Sequence, residues 1–393
     1  MTSATSLITR ARRFRFYAEH LWRFHRPFIR RHLRQRCAIC IVSEAYSPLE
    51  NGVCAECRAL ANSPRPTEPV AEQKIAPLAA ELDALLTKSQ GAGAGAYDAL
   101  VMLSGGKDSA FLLHLLRQRY SNLRLLALTI DNSFMSPVAL DNARRTVDVL
   151  DIDHITLRPP KSLYVKSFRL ACTLREEGKG CFETVDRIDA DLGFSLAKIH
   201  ATVNDIPLLV SGLSWAQVER LFDVRSFEIP RERAFARVGS TLGHGLEEIY
   251  DPGEMHYWWD PSRFWWDPSR FECARWPQFL HPFYVWRYAE RHIQAEVLRL
   301  GLIKRGNDSP MLTNNLIIPM MTVLDHVRLG YASFEPEFAS QVRLGKADPL
   351  FWRNAFEMLE YAARTGWMLG DEIERMAESL GLTREDLGLG FRG

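Results

Sequence analysis

The sequence has no apolar run near the ~20 residues that a membrane-spanning helix needs, which excludes a transmembrane reading. Cysteine is scarce, with seven in 393 residues, and this excludes a disulfide-stapled mini-protein. The compositional bias of collagen or of a disordered chain is also missing. Apolar residues make up 47% and charged residues 25%, enough for two or three ordinary soluble domains. No repeat of solenoid length occurs. Net charge is nearly absent, at +1, but the balance hides a division. Residues 1–36 carry ten arginines against one acid, Glu19, a local charge of +9 that leaves −8 on the remainder.

Between those arginines, Phe14, Tyr17, Leu21, Phe24 and Phe28 recur at helical spacing. Three uses of this basic arm stay open. It can contact nucleic acid phosphates such as those of tRNA, lie on an anionic membrane surface, or pack its apolar stripe on the body with its arginines solvated. An Arg-rich, acid-poor start also mimics a targeting peptide, but its direct continuation into a cysteine cluster, with no small-residue cleavage site, argues against removal.

That cluster comprises Cys37-x-x-Cys40 and Cys54-x-x-Cys57, two knuckles thirteen residues apart, with Asn51-Gly52 forming a turn into the second. Four thiolates in this pattern close a tetrahedral Zn²⁺ site with no open position, so its expected role is structural. Cys172, Cys181 and Cys273 stand alone. An odd count with two tight pairs predicts thiols in a reducing compartment, and hence a cytoplasmic protein, with peripheral membrane attachment left open by the arm.

The expected organisation is a basic arm over 1–36, a zinc-ribbon-like module over 37–60, and a linker with a helix over 61–96. A nucleotide-binding α/β domain over 97–220 and a mainly helical region over 221–393 follow. The linker contains a proline-rich stretch at 62–69 and a flexible Gly-Ala stretch at 91–96. In the α/β domain, short apolar runs alternate with amphipathic stretches, the pattern of a doubly wound parallel sheet. Strands are expected at 98–103, 125–130, 154–157 and 207–211. Helices are expected at about 107–119, 138–149, 162–176 and 185–203.

The strongest motif is Ser104-Gly105-Gly106-Lys107-Asp108-Ser109, placed between a buried strand and a helix. Such a strand–turn–helix gathers backbone N–H groups and the positive end of the helix dipole around one point, where an oligophosphate fits. The glycines permit close approach, Lys107 adds a point charge, and the Ser104 and Ser109 hydroxyls can donate. The common P-loop is excluded, since Val101 stands where it needs glycine and Asp108 where it needs a hydroxyl.

This segment resembles the PP-loop of the N-type ATP pyrophosphatases, the adenine nucleotide α-hydrolase-like (HUP-like) superfamily. The resemblance implies cleavage of ATP between its α and β phosphates. A substrate carbonyl or carboxylate is adenylylated, and a nitrogen or sulfur nucleophile then displaces AMP. It implies Mg²⁺ across the phosphates with Asp108 as a ligand or loop-orienting carboxylate, and it places adenosine recognition at Asp131 and Asn132, with Asn142 in the following helix. With the cysteine module containing Asn51-Gly52-Val53-Cys54-Ala55-Glu56-Cys57-Arg58, residues 37–215 look most like the N-acetyl sugar amidotransferases. The zinc-module tRNA thiolation enzymes come second. Val210-Ser211-Gly212-Leu213-Ser214 departs from both groups, which leaves the substrate open.

In PP-loop thiolases, cysteines in the region of Cys172 and Cys181 carry a persulfide or an iron–sulfur cluster. Lys179 and a helix starting near Glu183 are expected to lower the Cys181 thiol pKa. The alternatives are therefore an amidotransferase-like ligase acting on a small molecule, supplied with ammonia by a glutaminase partner or by solution, and a sulfur transferase using Cys181 and a sulfur-donor protein. A non-catalytic ATP-binding interaction protein is the third. Trp-Trp-Asp-Pro-Ser-Arg-Phe, repeated at 258–264 and 265–271, is expected in a surface loop, with a stacking surface for a sugar or base as the alternative. Polar residues from Asp308 to Asn315 are weak pocket candidates, and Asp325-His326 is expected on a solvated helix face.

Overall fold

The computed structural model describes residues 4–61, 72–175, 177–236, 249–250, 260–308 and 315–390. In chain order the elements used below are helices α1 (Ala4–Phe16) and α2 (Trp22–Ile29), strands β1 (Leu49–Glu50) and β2 (Val53–Cys54), helix α3 (Ala55–Ala61) and helix α4 (Glu72–Lys88). Then come β3 (Ala99–Met102), α5 (Lys107–Arg119), β4 (Leu125–Ile130), α6 (Pro137–Leu150), β5 (Asp153–Leu157), α7 (Lys161–Thr173), α8 (Arg187–Val203) and β6 (Leu208–Val210). They are followed by α9 (Trp215–Phe222), β7 (Glu228–Ile229), α10 (Arg231–Ala234), β8 (Gln278–Leu280), α11 (Glu290–Arg299), α12 (Ile318–Arg328), α13 (Glu335–Arg343) and α14 (Pro349–Thr365). The chain divides into two compact units that interleave along the sequence. One comprises residues 1–67, 164–189 and 316–393, the other 68–163 and 190–315.

The second unit is built on a six-stranded sheet of order β5-β4-β3-β6-β8-β7. All neighbours are parallel except β7 and β8. Ala99, Leu100, Val101, Ala127, Leu208, Leu209 and Val210 are fully buried, as strands covered on both faces must be. The expected parallel α/β sheet is therefore present, and its four expected strands fall within one or two residues of the observed ones. The sheet is wider than the sequence pattern indicated. β7 and β8 lie beyond residue 220 and are too short to show a period.

Two expectations in this unit are corrected. The Gly-Ala stretch at 91–96 is tied down rather than flexible. The buried Asp98 carboxylate accepts from the N–H groups of Gly91 and Gly93 at 2.9 Å, and from the Arg124 backbone and guanidinium at 2.7–3.2 Å. Arg124 in turn donates to the carbonyls of Gly93 and Gly95 at 2.8 Å. The tandem heptad is not simply a surface loop. Trp265 and Trp266 are buried, and Trp266 stacks on Phe271 at 5.0 Å and donates to the Phe235 carbonyl. In both copies the aspartate accepts from the serine two residues on, so Asp260 and Asp267 cap corresponding 3₁₀ turns, Pro261–Phe264 and Pro268–Arg270. Trp258 and Trp259 fall outside the described residues.

The first unit gathers the arm, the cysteine module and the helices of the final third. Phe14, Ala18 and Trp22 are buried against Ala355 and Met358 of α14. Trp22 Nε1 donates to Glu357 at 2.8 Å, and Asn354 Nδ2 donates to the Ala18 carbonyl at 2.8 Å. The expected stripe is right at Phe14, but Phe24 and Phe28 are exposed. The cause is a five-residue π-turn at Tyr17–Leu21 between α1 and α2, which keeps the buried row at a four-residue spacing through Phe14, Ala18, Trp22 and Arg26. Arg36 is enclosed between Glu335 at 2.7 Å and Glu360 at 3.4 Å, all three side chains being at most 2% exposed.

Burial raises the Asp98 carboxyl, but Arg124 and the backbone N–H groups of Arg124, Gly93 and Gly91 outweigh it and hold it well below the usual carboxylate range. Its ion pair therefore stabilises the fold fully above the unfolded carboxyl's pKa near ~4, and loses that contribution as pH falls towards the depressed native value. Asp98→Asn removes the carboxylate that the Gly91, Gly93 and Arg124 N–H groups share, and should lower the urea unfolding midpoint at neutral pH. The deficit relative to the parent should shrink below about pH 4.

Candidate active site and metal centre

β3 runs directly into Ser104-Gly105-Gly106, and α5 begins at Lys107, with Gly106 at its N-cap. Gly105 has φ +77°, in the left-handed region, and a Cβ there would lie 2.0 Å from the Ala139 carbonyl oxygen. Glycine is thus required twice over, by backbone conformation and by space. Asn142 Nδ2 in α6 donates to the Gly105 carbonyl at 3.1 Å and fixes the turn from the other side. Ser109 Oγ accepts from the Ser104 N–H at 3.2 Å and lies 3.1 Å from Ser104 Oγ, so both hydroxyls converge on the turn.

Lys107 Nζ lies 2.9 Å from Asp108 and 3.5 Å from Glu290 at the start of α11. Burial lowers the Lys107 ammonium pKa, but these two carboxylates outweigh it and the net shift is upward, so it stays charged. Glu290 was not among the residues indicated by the sequence, because it lies 183 positions away with no motif around it.

The strand order explains the location. The chain winds from β3 through β4 to β5, then returns to the opposite side of β3 as β6. This reversal opens a crevice at the carboxyl ends of β3 and β6, where ligands of doubly wound sheets bind. The Ser104–Ser109 turn follows β3, and Ser211-Gly212-Leu213-Ser214 follows β6. A Cβ on Gly212 would sit 3.4 Å from the Ser109 backbone, so the two segments meet at the crevice. Asp131 and Asn132 follow β4 on the same edge. Asp131 accepts from the Ser133 N–H at 2.9 Å and lies 3.4 Å from Arg158, while Asn132 is buried and accepts from the Phe134 N–H at 2.8 Å.

In the other unit, Asn51 and Gly52 both have positive φ and form the tight turn of the β1–β2 hairpin, which carries Cys54. Cys57 sits on the first turn of α3. The sulfurs of Cys37, Cys40, Cys54 and Cys57 are buried and lie within 4.8 Å of one another, Cys40 and Cys54 being 3.6 Å apart. Thiolates about 2.3 Å from one tetrahedral ion stand about 3.8 Å apart, so the set fits a single mononuclear cation. Burial pushes the Cys37 thiol up, but the N–H groups of Cys40, Cys54 and Ile39 outweigh it and bring it down to about 7.

Cys172 and Cys181 are fully buried in this same unit. The Cys181 N–H donates to Asp325 Oδ1 at 2.6 Å, Asp325 also accepts from the Ser333 N–H at 2.8 Å, and an Arg328 nitrogen lies 3.5 Å from the Cys181 sulfur. The expected lowering of the Cys181 pKa is overturned. Burial, followed by the Asp325 carboxylate, pushes the thiol well above its ordinary value, and Arg328 offsets this only in part. Asp325 and His326 are buried rather than solvated, because α12 runs through the interior of the unit. Residues 309–314 of the Asp308–Asn315 pocket candidate lie outside the described residues, and Asp308 itself accepts from the Gly306 N–H at 3.1 Å.

A doubly wound, mostly parallel α/β sheet with Ser-Gly-Gly-Lys-Asp-Ser between its β3 strand and the following helix is thus the class that topology and motif define. No family model matches the chain. A curated, uncharacterised protein of Methanocaldococcus jannaschii is 25% identical over 126 residues, 31% of this chain and 42% of that protein, so the chain spans less than half of that relative's length. Among solved structures, a U34-tRNA thiolase from Methanococcus maripaludis with its 4Fe-4S cluster is similar at TM-score 0.36 and 12% identity, over 90% of this chain and 91% of that one. An NH3-dependent NAD synthetase from Campylobacter jejuni is similar at TM-score 0.33 and 14% identity, over 79% and 96%. An NMN synthetase from Francisella tularensis is similar at 0.28 and 15%, over 46% and 81%. These likenesses are distant, and the fold rests on the chain's own strand order.

Gly105→Ala should abolish retention of ATP on equilibrium dialysis, whereas Gly390→Ala, whose Cβ would meet nothing within 4 Å, should leave it intact. Plasma mass spectrometry of the purified protein should find about one tightly held zinc per chain. Cys40→Ser should release it and lower the unfolding midpoint.

Proposed function

We propose that the chain is an ATP pyrophosphatase-type enzyme that forms AMP and pyrophosphate, adenylylating a carbonyl or carboxylate oxygen of a small molecule and then substituting nitrogen there. The observation that carries this reading is the Ser104–Ser109 turn, with its left-handed Gly105, its paired serine hydroxyls and the charged Lys107 at the first turn of α5. Free N–H groups at a helix start, together with one ammonium, act on the phosphates that leave, where negative charge grows as the α–β bond breaks. Asp131 and Asn132 are suited to the nucleoside. Asp108 and Glu290, both within 3.5 Å of one ammonium, form an oxygen donor pair suited to Mg²⁺. That ion would screen phosphate charge when bound.

Nitrogen is favoured over sulfur by the state of Cys181. Sulfur transfer needs a reachable thiolate, whereas this thiol is fully buried and burial, then Asp325, pushes its pKa up. The sulfur reading, with tRNA or a small molecule as acceptor and a sulfur-donor protein as partner, draws support from the Arg328 guanidinium 3.5 Å from the Cys181 sulfur. For the nitrogen reading, ammonia comes from a glutaminase partner or from solution. The compact spread of the four cysteine sulfurs supports a mononuclear Zn²⁺ over a cuboidal cluster, whose thiolates stand farther apart because each binds a different iron.

The test is turnover of labelled ATP with ammonia and panels of carboxylated or N-acylated sugars. AMP and pyrophosphate should appear together, and only with acceptor. Lys107→Ala should lower the rate by about 10²–10³, and Cys181→Ser should leave it within about twofold if it folds as the parent does. Release of ADP instead would overturn the proposal, and loss of activity in a folded Cys181→Ser would favour sulfur transfer.

A further inference from the structure

The arm turns one face to the protein and another to solvent, and the two are equally regular. Opposite the row of the buried Phe14, Ala18 and Trp22 and the half-buried Arg26 runs a second row at the same four-residue spacing, comprising Arg12, Phe16, His20, Phe24, Phe28 and His32. Its apolar members stand in water. Phe16 is 52% exposed, Phe24 58% and Phe28 83%. The π-turn that holds the first row in register holds the second as well, making one continuous aromatic ridge along α1 and α2.

The charges beside the ridge are equally uneven. Of the ten arginines, Arg10, Arg15, Arg26, Arg34 and Arg36 are paired with Glu372, Glu19, Glu357, Glu360 and Glu335. Arg12, Arg13, Arg23, Arg30 and Arg31 are exposed and have no ion pair among the described residues. Arg12 belongs to the ridge row, Arg13 and Arg23 adjoin it, and Arg30 and Arg31 lie in the turn at its end. Arg23 lies over the Phe24 ring at 4.7 Å.

We infer that this face is a docking surface for an anionic lipid bilayer, with Phe16, Phe24 and Phe28 entering the headgroup–acyl boundary and the five arginines meeting lipid phosphates. A helix with a cationic border and a phenylalanine ridge suits an interface whose outer layer is anionic and whose inner layer is apolar. Arginine suits the border because its stem stays apolar while its guanidinium reaches outward. The side chains of Phe16, Phe24 and Phe28 carry no polar atom and stand 52–83% exposed, which is the chemistry an acyl layer takes up. The inference is independent of the nucleotide chemistry.

The test is flotation of the full chain with vesicles of equal parts phosphatidylglycerol and phosphatidylcholine, against phosphatidylcholine alone. The protein should float with the first and not with the second, and raised salt should weaken the association. Replacing Phe16, Phe24 and Phe28 together by serine, or the five free arginines together by glutamine, should each lower the partition coefficient more than about tenfold with the unfolding midpoint unchanged. If one of these variants fails to fold, the other and the salt titration of the parent decide. Absence of flotation, or flotation unaffected by both changes, overturns the inference. So does either alternative occupant: retained flotation with loss of single-stranded RNA or tRNA binding in the variants, or a concentration-dependent dimer that the serine variant abolishes.

Discussion

The nucleotide end of the molecule depends on one close approach, the Gly105 backbone lying against the carbonyl of Ala139. Strand β3 has to stop, reverse and feed a helix within a few residues, and α6 stands directly across that reversal. Only a residue without a side chain, in the left-handed region, fits the gap. The serine hydroxyls, Lys107 and the Asn142 amide take their positions from that turn. Gly212 approaches the same helix start from β6, so the two sheet halves that the strand order separates are drawn together at one point.

What could be read from the sequence and what could not divide by range. Ser104 to Ser109, strands β3 to β6 and helices α5 to α8 were legible because each is set by neighbours in the chain: an apolar run, a Gly-Gly turn, a 3.6-residue period. The two cysteine knuckles were legible for the same reason, since Asn51-Gly52 encodes its own turn. Features set by distant partners were not. Glu290 reaches Lys107 from across the chain. Asp325 meets Cys181 from 144 positions away, and burial, with Asp325 adding to it, moves the thiol pKa opposite to the direction that the nearby Lys179 suggests. Trp265 and Trp266 sit beside Asp-Pro steps that mark a loop locally, yet Phe235 and Trp276 enclose the second of them. The arm was half legible. Its helical period is visible, but a π-turn leaves no signature in composition, so the sequence alone does not separate the buried Phe14 from the exposed Phe24 and Phe28.

Charge is used in opposite ways in the two units. Around Lys107 two carboxylates remain partly exposed, 46% for Asp108 and 50% for Glu290, so the pairing is weak and can be exchanged for phosphate or a cation. Around Arg36 the carboxylates of Glu335 and Glu360 are shut away from water, and removing any one of the three strands the others in a low-dielectric interior. The first arrangement suits a place that changes state during a reaction. The second suits a fixed junction.

Trp22 finds its partner Glu357 only after 335 further positions have been made. A chain emerging at ~5–20 residues per second therefore carries its arginine-rich, phenylalanine-studded beginning without its cover for on the order of tens of seconds. During that interval both aromatic rows face the surroundings. The unit that holds the cysteine module draws on residues 1–67, 164–189 and 316–393, so it cannot close before the last of these segments has been made.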